Sequence, residues 1–263
     1  MTVHFIGAGP GAADLITLRA QRLIARSPVC LYAGALVPDE VLAHAPVGAR
    51  LVDTQQLDLD AIVAECAAAH ARDADVARLH SGDISLWSAA AEQMRRLDEL
   101  AIDWDVTPGV PAFAAAAASL RRELTLPGVA QTVILTRHAR RATPLPPGEQ
   151  LASLAAHGTT LVLHLAVQAI DDLAPVLAGH YGDDGPVAVV ARASQPDELI
   201  LRGTLSTIAG QVRDAGVRRS AVIIVGPALG DPGFCDSHLY STARERSGAP
   251  ARPGSAAAPD DET

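Results

Sequence analysis

The feature that most constrains this chain is a regular alternation of short apolar strands and helices, with several strands running directly into a glycine turn. The first strand is predicted over 3–6, and the segment GAGPG follows it at 7–11. Apolar side chains then recur at helical spacing over 14–25. Further strands are predicted at 29–32, 76–79 and 104–106, and further helices at 58–71, 86–101 and 112–120. This order predicts a largely parallel sheet covered by helices, which is an α/β fold.

The pattern changes near residue 127, in the turn sequence Leu126-Pro127-Gly128. Beyond this turn, strands are predicted at 131–136, 160–165, 187–191, 199–203 and 221–226, and helices at 149–156, 168–178 and 205–215. We therefore predict two α/β domains, 1–127 and 128–230, with a ligand cleft between them. Residues 231–263 are predicted to form a disordered tail, because the segment SGAPARPGSAAAP at 247–259 cannot bury enough apolar surface to offset its ordering entropy.

Composition excludes several classes of function. The net charge of −9 disfavours nucleic-acid binding, which needs a concentrated basic surface. No apolar stretch approaches the ~18–20 residues that span a bilayer, and no signal core is found, so we expect a cytoplasmic protein without membrane contact. The three cysteines, Cys30, Cys66 and Cys235, are isolated, so neither a disulfide framework nor a metal site is expected.

The glycine-rich segment at 7–12 imitates a dinucleotide-binding loop of the pattern GxGxx(G/A). Two features argue against that function. Pro10 lacks the backbone N–H that such a loop would direct at phosphate. The acidic residue expected at the end of the second strand is also absent, since that strand ends in Leu31-Tyr32-Ala33-Gly34. Taken alone, the loop leaves a structural turn and a ligand site equally open.

Two further turns follow strands of the same predicted sheet. The first is HSGDIS at 80–85, which we place directly before a helix, and the second is TPGVPAF at 107–113. The carboxyl ends of parallel strands meet at one edge of a sheet, where ligands bind. Asp83 could cap the helix or accept hydrogen bonds from a ligand, and both roles stay open. Three such turns in one domain predict one shared site.

Together these motifs resemble those of the tetrapyrrole methyltransferases, a family of class III S-adenosylmethionine-dependent enzymes. The resemblance covers about residues 2–230 and rests on GAGPG with Asp14-Leu15-Ile16-Thr17, then the GD turn, then PGV. Four segments are most similar to the branch that methylates a precorrin at carbon 11 in cobalamin biosynthesis: LYAGALVP at 31–38, HSGD at 80–83, RELTLPGVAQTVILTR at 122–137 and RASQPDE at 192–198. The chain departs from the family at Ile84, where proline is common. Ala33 stands where uroporphyrinogen-III methyltransferases carry aspartate, which disfavours their two-methyl chemistry.

The resemblance implies two α/β domains, S-adenosylmethionine as methyl donor in the cleft, a tetrapyrrole as substrate, and a homodimer. It also implies which residues of this chain contact the donor. Pro10 would border the cleft on the tetrapyrrole side, and Leu165 and Ala193 would line the adenine pocket. The other implied contacts are Ser81, Gly82, Asp83, Leu86, Pro111 and Ala112.

A tetrapyrrole carries many carboxylates, and guanidinium groups pair with carboxylates at two points. We therefore predict that Arg137 and Arg140, in a basic cluster after the strand at 131–136, bind the substrate; a solvated surface loop is the alternative. Methyl transfer from a sulfonium needs mainly correct placement of the two reacting carbons, so no catalytic triad and no metal are expected. His80 and His164 could face the cleft, but no general base is identified, and Glu123 has little support.

Four alternatives remain. The ring position could differ, or the substrate could already contain cobalt. The GAGPGA loop could instead serve a nicotinamide-dependent oxidoreductase, or the chain could bind a tetrapyrrole without altering it.

Overall fold

The computed structural model describes residues 1–138, 144–230 and 233–240, and these residues build two five-stranded sheets. The first sheet contains the strands β1 (Val3–Gly7), β2 (Val29–Tyr32), β3 (Arg50–Asp53), β4 (Val76–His80) and β5 (Trp104–Thr107). All neighbouring strands in it run parallel, in the order β3-β2-β4-β1-β5. The predicted parallel sheet is thus confirmed.

Helices connect the strands of the first sheet and cover both of its faces. They are α1 (Leu18–Arg26), α2 (Asp39–Leu42), α3 (Leu59–His70) and α4 (Ala91–Glu99). Side chains that precede two of them fix where they begin. Thr17 accepts a hydrogen bond from the N–H of Ala20 in α1, and Asp58 accepts one from Ala61 in α3, so each end has a satisfied donor.

The second sheet is mixed. Its strands are β6 (Val133–Arg137), β7 (Thr160–His164), β8 (Pro186–Ala191), β9 (Leu199–Thr204) and β10 (Ala221–Val225). Their order is β6-β7-β10-β8-β9, with β6 and β7 parallel and β10 antiparallel to both β7 and β8. The helices of this half are α6 (Leu151–Ala155), α7 (Ile170–Tyr181) and α8 (Ile208–Asp214). Each strand and helix predicted beyond residue 128 has a counterpart here.

One helix joins the two halves. Helix α5 (Ala112–Leu120) follows the last strand of the first sheet, yet its buried residues Ala115, Ala116 and Leu120 pack on the second sheet. They contact a set of apolar residues on β7, β8 and β10: Val162, Ala188, Val190, Val222 and Ile224. The packing therefore crosses from one half to the other at this helix, and the domain boundary at residue 127 stays a prediction.

The structure corrects the start of one predicted helix and adds an α-helix and a strand. Helix α4 begins at Ala91 and does not start directly after the SGD turn. Segment 84–90 is a turn instead, with positive φ at Trp87 and Ala89 and a hydrogen bond from Ser88 Oγ to the carbonyl of Ile84. The short helix α2 and the edge strand β3 were not predicted. No helix within the described ranges is long and apolar enough to cross a membrane.

Candidate active site

The order of the first sheet places three glycine turns side by side. Strands β4, β1 and β5 are neighbours and parallel, so the turns that follow them emerge at the same edge. These are the three turns that the sequence singled out, at 7–11, 80–85 and 107–113. Glycine is required where they meet, because a Cβ on Gly109 would lie within 2.7 Å of the carbonyl oxygen of Gly7 and closer still to that of Gly82.

Backbone N–H groups of the GAGPG loop form hydrogen bonds within the protein. The N–H of Ala8 donates to the carbonyl of His80 at 2.8 Å, and Gly9 and Gly82 exchange a pair of backbone hydrogen bonds. The N–H of Ala12 donates to Ser194 Oγ at 3.0 Å. A single 3-10 turn over Ala13–Leu15 follows the loop, and α1 starts only at Leu18, so no α-helix N-terminus directly follows the loop. A loop arranged in this way does not form a phosphate cradle, which supports the sequence argument against a dinucleotide site.

Asp83 ties the second turn to the third. Its Oδ2 accepts a hydrogen bond from the N–H of Gly109 at 2.8 Å, and its Oδ1 accepts from the N–H and the hydroxyl of Ser85. Burial by itself would raise the pKa of this carboxyl group, but the hydrogen bonds from Ser85 and Gly109 lower it overall. Asp83 is therefore ionised, and its hydrogen bonds hold the second and third turns together. The helix cap considered from the sequence is ruled out, since no helix begins there.

The second sheet presents a matching edge. The carboxyl ends of β7 and β8 and the amino end of β10 lie together, because β10 runs antiparallel to both. At these ends Leu165, Arg192 and Ser220 have positive φ values of 54°, 51° and 52°. Such conformations are costly for residues other than glycine and concentrate at functional sites.

A cavity of about 410 Å³ lies between the two edges, within the ~300–1,000 Å³ range of small-molecule sites. The residues that the sequence predicted to contact the donor all line it: Pro10, Ser81, Gly82, Asp83, Leu86, Pro111, Ala112, Leu165 and Ala193. They come from both halves of the chain and from five different loops. The structure thus brings together residues that are up to 183 positions apart (193 − 10).

Sequence reasoning missed several residues of the cavity wall. Leu36 and Trp87 line it from the first half, and Arg192, Arg218 and Arg219 line it from the second. Leu36 lies within the quoted segment 31–38, so a signal for it existed. The arginines before β10 carry no motif, and only the antiparallel placement of that strand brings them to the cavity.

His164 lies on the cavity wall and contacts Trp87 from the opposite half. Their ring centroids are 4.9 Å apart, and among the described residues Nε2 of His164 has no hydrogen-bond partner. Burial lowers its pKa to about 4, so the imidazole is neutral near pH 7. Of the two histidines proposed to face the cleft, His164 lines the cavity. His80 is not among its lining residues and packs against Phe5 in the first sheet.

Of the two arginines predicted to bind the substrate, the structure describes only Arg137. Arg137 is the last residue of β6 but does not line the cavity, whereas His138, the next residue, does. Arg140 lies outside the described residues. Their role in substrate binding therefore stays a prediction.

Hydrogen bonds of Ser119, Ser194 and Glu198 connect the two halves, and we call these three residues the polar clasp. Glu198 Oε2 accepts hydrogen bonds from Ser119 Oγ at 2.7 Å and from the N–H of Ser194 at 2.6 Å. Ser194 in turn accepts the hydrogen bond from Ala12 in the glycine loop. The segment RASQPDE at 192–198 thus connects helix α5 with the loop that opens the chain.

These features define an α/β protein with a small-molecule cavity between two sheets, and sequence comparison supplies the class. The profile of the family described as Tetrapyrrole (Corrin/Porphyrin) Methylases matches residues 2–209. A curated relative from Rhodococcus erythropolis, named precorrin-4 C(11)-methyltransferase, is 61% identical over 246 residues, which cover 94% of this chain and 99% of the relative. The chain belongs to the tetrapyrrole methylase family, and its activity is that of a C-methyltransferase.

Two solved structures agree with this assignment and with the predicted class III fold. A cobalt precorrin-4 methyltransferase, described as a cobalamin biosynthetic enzyme, has a TM-score of 0.85 and 36% identity, covering 87% of this chain and 96% of its own. A uroporphyrin-III C-methyltransferase from Thermus thermophilus, solved in complex with S-adenosylhomocysteine, has a TM-score of 0.72 and 28% identity, covering 87% and 99%. The predicted fold class and family are therefore confirmed.

Proposed function

We propose that this chain transfers a methyl group from S-adenosylmethionine to carbon 11 of precorrin-4, giving precorrin-5 in cobalamin biosynthesis. The observation that carries the proposal is that all nine residues implied by the family resemblance line one cavity between the two sheets. The 61% identity to a relative of that name, over nearly the whole of both chains, supports the choice of substrate and of ring position.

The cavity wall suits the methyl donor. Leu165, Val167 and Ala193 offer an apolar pocket for adenine, and Leu36 and Leu86 continue that surface in the first half. On the polar side, Ser81 and the ionised Asp83 border the cavity, where they would face the ribose and methionine part of the donor. Nε2 of His164, which has no hydrogen-bond partner in the described part of the chain, offers a further hydrogen-bonding group, as a cavity that accepts a polar ligand requires.

When bound, S-adenosylmethionine supplies a methyl group on a positively charged sulfur, which is already a good leaving group. The protein's task is then to orient donor and acceptor and to exclude water. The three glycine turns serve the first purpose, since their mutual hydrogen bonds leave the wall little freedom. The contact between Trp87 and His164 serves the second, because it brings the two halves together at the edge of the cavity.

The acceptor carries many carboxylates, and the cavity contains matching cations. Arg218 and Arg219 line it in a chain whose net charge is −9, together with Arg192, which pairs with Asp197 at 2.6 Å. Local positive charge of this kind attracts an anionic substrate and accelerates its association. A second candidate substrate is cobalt-precorrin-4, because the solved relative at TM-score 0.85 is named for it. We also propose that the chain acts as a homodimer, as the family resemblance implies.

Calorimetric titration with S-adenosylhomocysteine and with NADH tests the assignment of the donor site. We expect binding of the sulfur ligand and no response to NADH, because the N–H groups of Ala8 and Gly9 in the glycine loop already donate to His80 and Gly82. Binding of NADH without binding of S-adenosylhomocysteine would contradict the proposal.

A matched pair of variants locates the site in the same experiment. Ala193→Leu fills the proposed adenine pocket and should weaken S-adenosylhomocysteine binding ~10-fold or more, a cost of about 1–3 kcal/mol typical of overpacking. Ala118→Leu makes the same change on an exposed position of α5 and should leave affinity unchanged. Equal affinities for both variants would remove Ala193 from the site.

A further inference from the structure

Arg78 is a buried cation that forms no ion pair with a carboxylate among the described residues. It lies on β4, between β1 and β2, and is 4% exposed. Burial lowers the pKa of its guanidinium to about 10, which still leaves it charged near pH 7. A charge buried without a counter-charge is expensive, and an apolar side chain of similar size would pack there at lower cost. The hydrogen bonds of Arg78 supply the reason for its presence.

One arm of this network leads to the segment that carries Trp87. Arg78 Nε donates to Gln93 Oε1 at 3.0 Å, and Gln93 Nε2 donates to the carbonyl of Ala89 at 2.8 Å. Ala89 belongs to segment 84–90, whose members Leu86 and Trp87 line the cavity. Both Trp87 and Ala89 have positive φ, so the surrounding contacts must hold this turn in a costly conformation.

The other arm leads to the segment that carries Leu36. Arg78 Nη1 donates to Thr54 Oγ1 at 3.1 Å, and that hydroxyl donates to the carbonyl of Tyr32 at 2.9 Å. Tyr32 is the last residue of β2, and segment 33–38 after it places Leu36 on the cavity wall. Thr54 and Gln93 are each only 6% exposed, so both arms run through the interior.

We propose that Arg78 is a positioning residue, which fixes the segments 33–38 and 84–90 of the cavity wall through two buried hydrogen-bond arms. The planar fork of a guanidinium can serve two acceptors in different directions at once, whereas a lysine ammonium or a neutral side chain cannot reproduce this geometry. Arg78 does not line the cavity, and its effect reaches the wall through the backbone carbonyls of Ala89 and Tyr32.

The chain contains a built-in reporter for this role. It has two tryptophans, Trp87 and Trp104. Trp87 lies on the segment held by the first arm, whereas the indole N–H of Trp104 donates to Asp98 Oδ1 at 2.8 Å, outside the network. The two indole N–H resonances in an NMR spectrum of the ligand-free protein therefore report on the network and on an internal reference.

The test compares four variants by these resonances, assigned with Trp87→Phe. Arg78→Met and Gln93→Leu should shift or broaden the Trp87 signal and leave the Trp104 signal in place. Thr54→Val cuts only the arm to β2 and should leave the Trp87 signal unmoved. Arg96→Met is the matched control, since Arg96 is on the same helix as Gln93 but pairs with Asp60 at the surface. An unmoved Trp87 signal in folded Arg78→Met and Gln93→Leu would overturn the proposal. If Arg78→Met does not fold, the Trp87 signal of Gln93→Leu is the deciding observation.

Affinity provides the second readout and rests on the proposed function. We expect the Kd for S-adenosylhomocysteine to rise ~10-fold in Arg78→Met and Gln93→Leu, the size expected for a lost hydrogen bond to a charged group. Arg96→Met should keep the Kd of the unmodified protein. Failure of the unmodified protein to bind would count against the proposed function alone, because the NMR readout needs no ligand. Unchanged Kd values in both network variants would count against the role of Arg78.

Discussion

Single glycines allow the backbone turns of the site to approach one another closely. Gly7, Gly82 and Gly109 meet where three turns join, and a Cβ on Gly7 or Gly109 would overlap backbone atoms of the neighbouring turns. We expect Gly109→Ala to lower the free energy of unfolding by about 3 kcal/mol or more, because the new methyl group overlaps two carbonyl oxygens. Urea titration measures the change.

A second glycine serves as the control for that substitution. Gly179 is exposed within α7, and a Cβ there meets nothing within 4 Å. Gly179→Ala should stabilise the protein by about 0.5–1 kcal/mol, since alanine restricts the unfolded chain more than glycine does. A small effect at Gly109, comparable to that at Gly179, would show that the three turns do not meet as described.

His80 makes stability depend on pH. Burial, followed by the nearby charge of Arg78, lowers its pKa to about 3, far below the ~6.5 of an unfolded histidine. Between these values the unfolded state binds a proton that the folded state does not, so stability falls as pH falls below ~6.5. The loss should be about 1 kcal/mol between pH 7 and pH 5.5.

Urea unfolding at those two pH values, with two variants, isolates this contribution. His80→Gln should reduce the pH dependence by about that amount, whatever its effect on stability at pH 7. His157→Gln, which replaces an exposed histidine and keeps His80 in place, is the matched control. An undiminished dependence in His80→Gln would mean that folding does not lower the pKa of His80.

At the level of elements, helix α5 is the part that couples the two sheets. Ala116 is fully buried against the second sheet, and Ala118 is exposed on the same helix. Ala116→Leu should cost about 1–3 kcal/mol of unfolding free energy through overpacking, whereas Ala118→Leu should change it by less than ~0.5 kcal/mol. Thermal unfolding of the two variants compares them directly, and equal stabilities would place α5 away from the second sheet.

Most strands and helices could be predicted from apolar periodicity, and the misses have physical causes. Strand β3, at the edge of its sheet, presents mostly exposed or half-buried side chains and so lacks the apolar run of a central strand. The helical spacing of Leu86 and Ala90 predicts an earlier start of α4 than the structure has, because the hydrogen bonds of Ser88 and Gln93 hold a turn there.

The residues of the candidate site were likewise only partly predictable from the sequence. Residues in glycine turns were predictable, since the turns follow parallel strands and those ends converge. Trp87, Arg218 and Arg219 were not, because their place on the cavity wall depends on a turn of unusual φ and on an antiparallel strand. Neither feature can be recognised from the spacing of residues in the sequence.

At the level of the whole molecule, the cavity depends on contacts between the halves. Ser194 accepts a hydrogen bond from Ala12 of the glycine loop, and its own N–H donates to Glu198. Ser194→Ala should lower the free energy of unfolding by about 1 kcal/mol and weaken binding of S-adenosylhomocysteine several-fold. Ser153→Ala, at an exposed position of α6, is the control expected to change neither quantity. Unchanged affinity in Ser194→Ala would separate this clasp from ligand binding.

The most direct test of the central claim is transfer of a labelled methyl group. The protein is incubated with precorrin-4 and S-adenosylmethionine carrying a ¹³C methyl group, and the product is mapped by NMR. We predict one new labelled methyl group at carbon 11 and one S-adenosylhomocysteine released per precorrin consumed. A label at another carbon would contradict the proposed ring position, and bound pigment without any release of S-adenosylhomocysteine would contradict the methyltransferase itself.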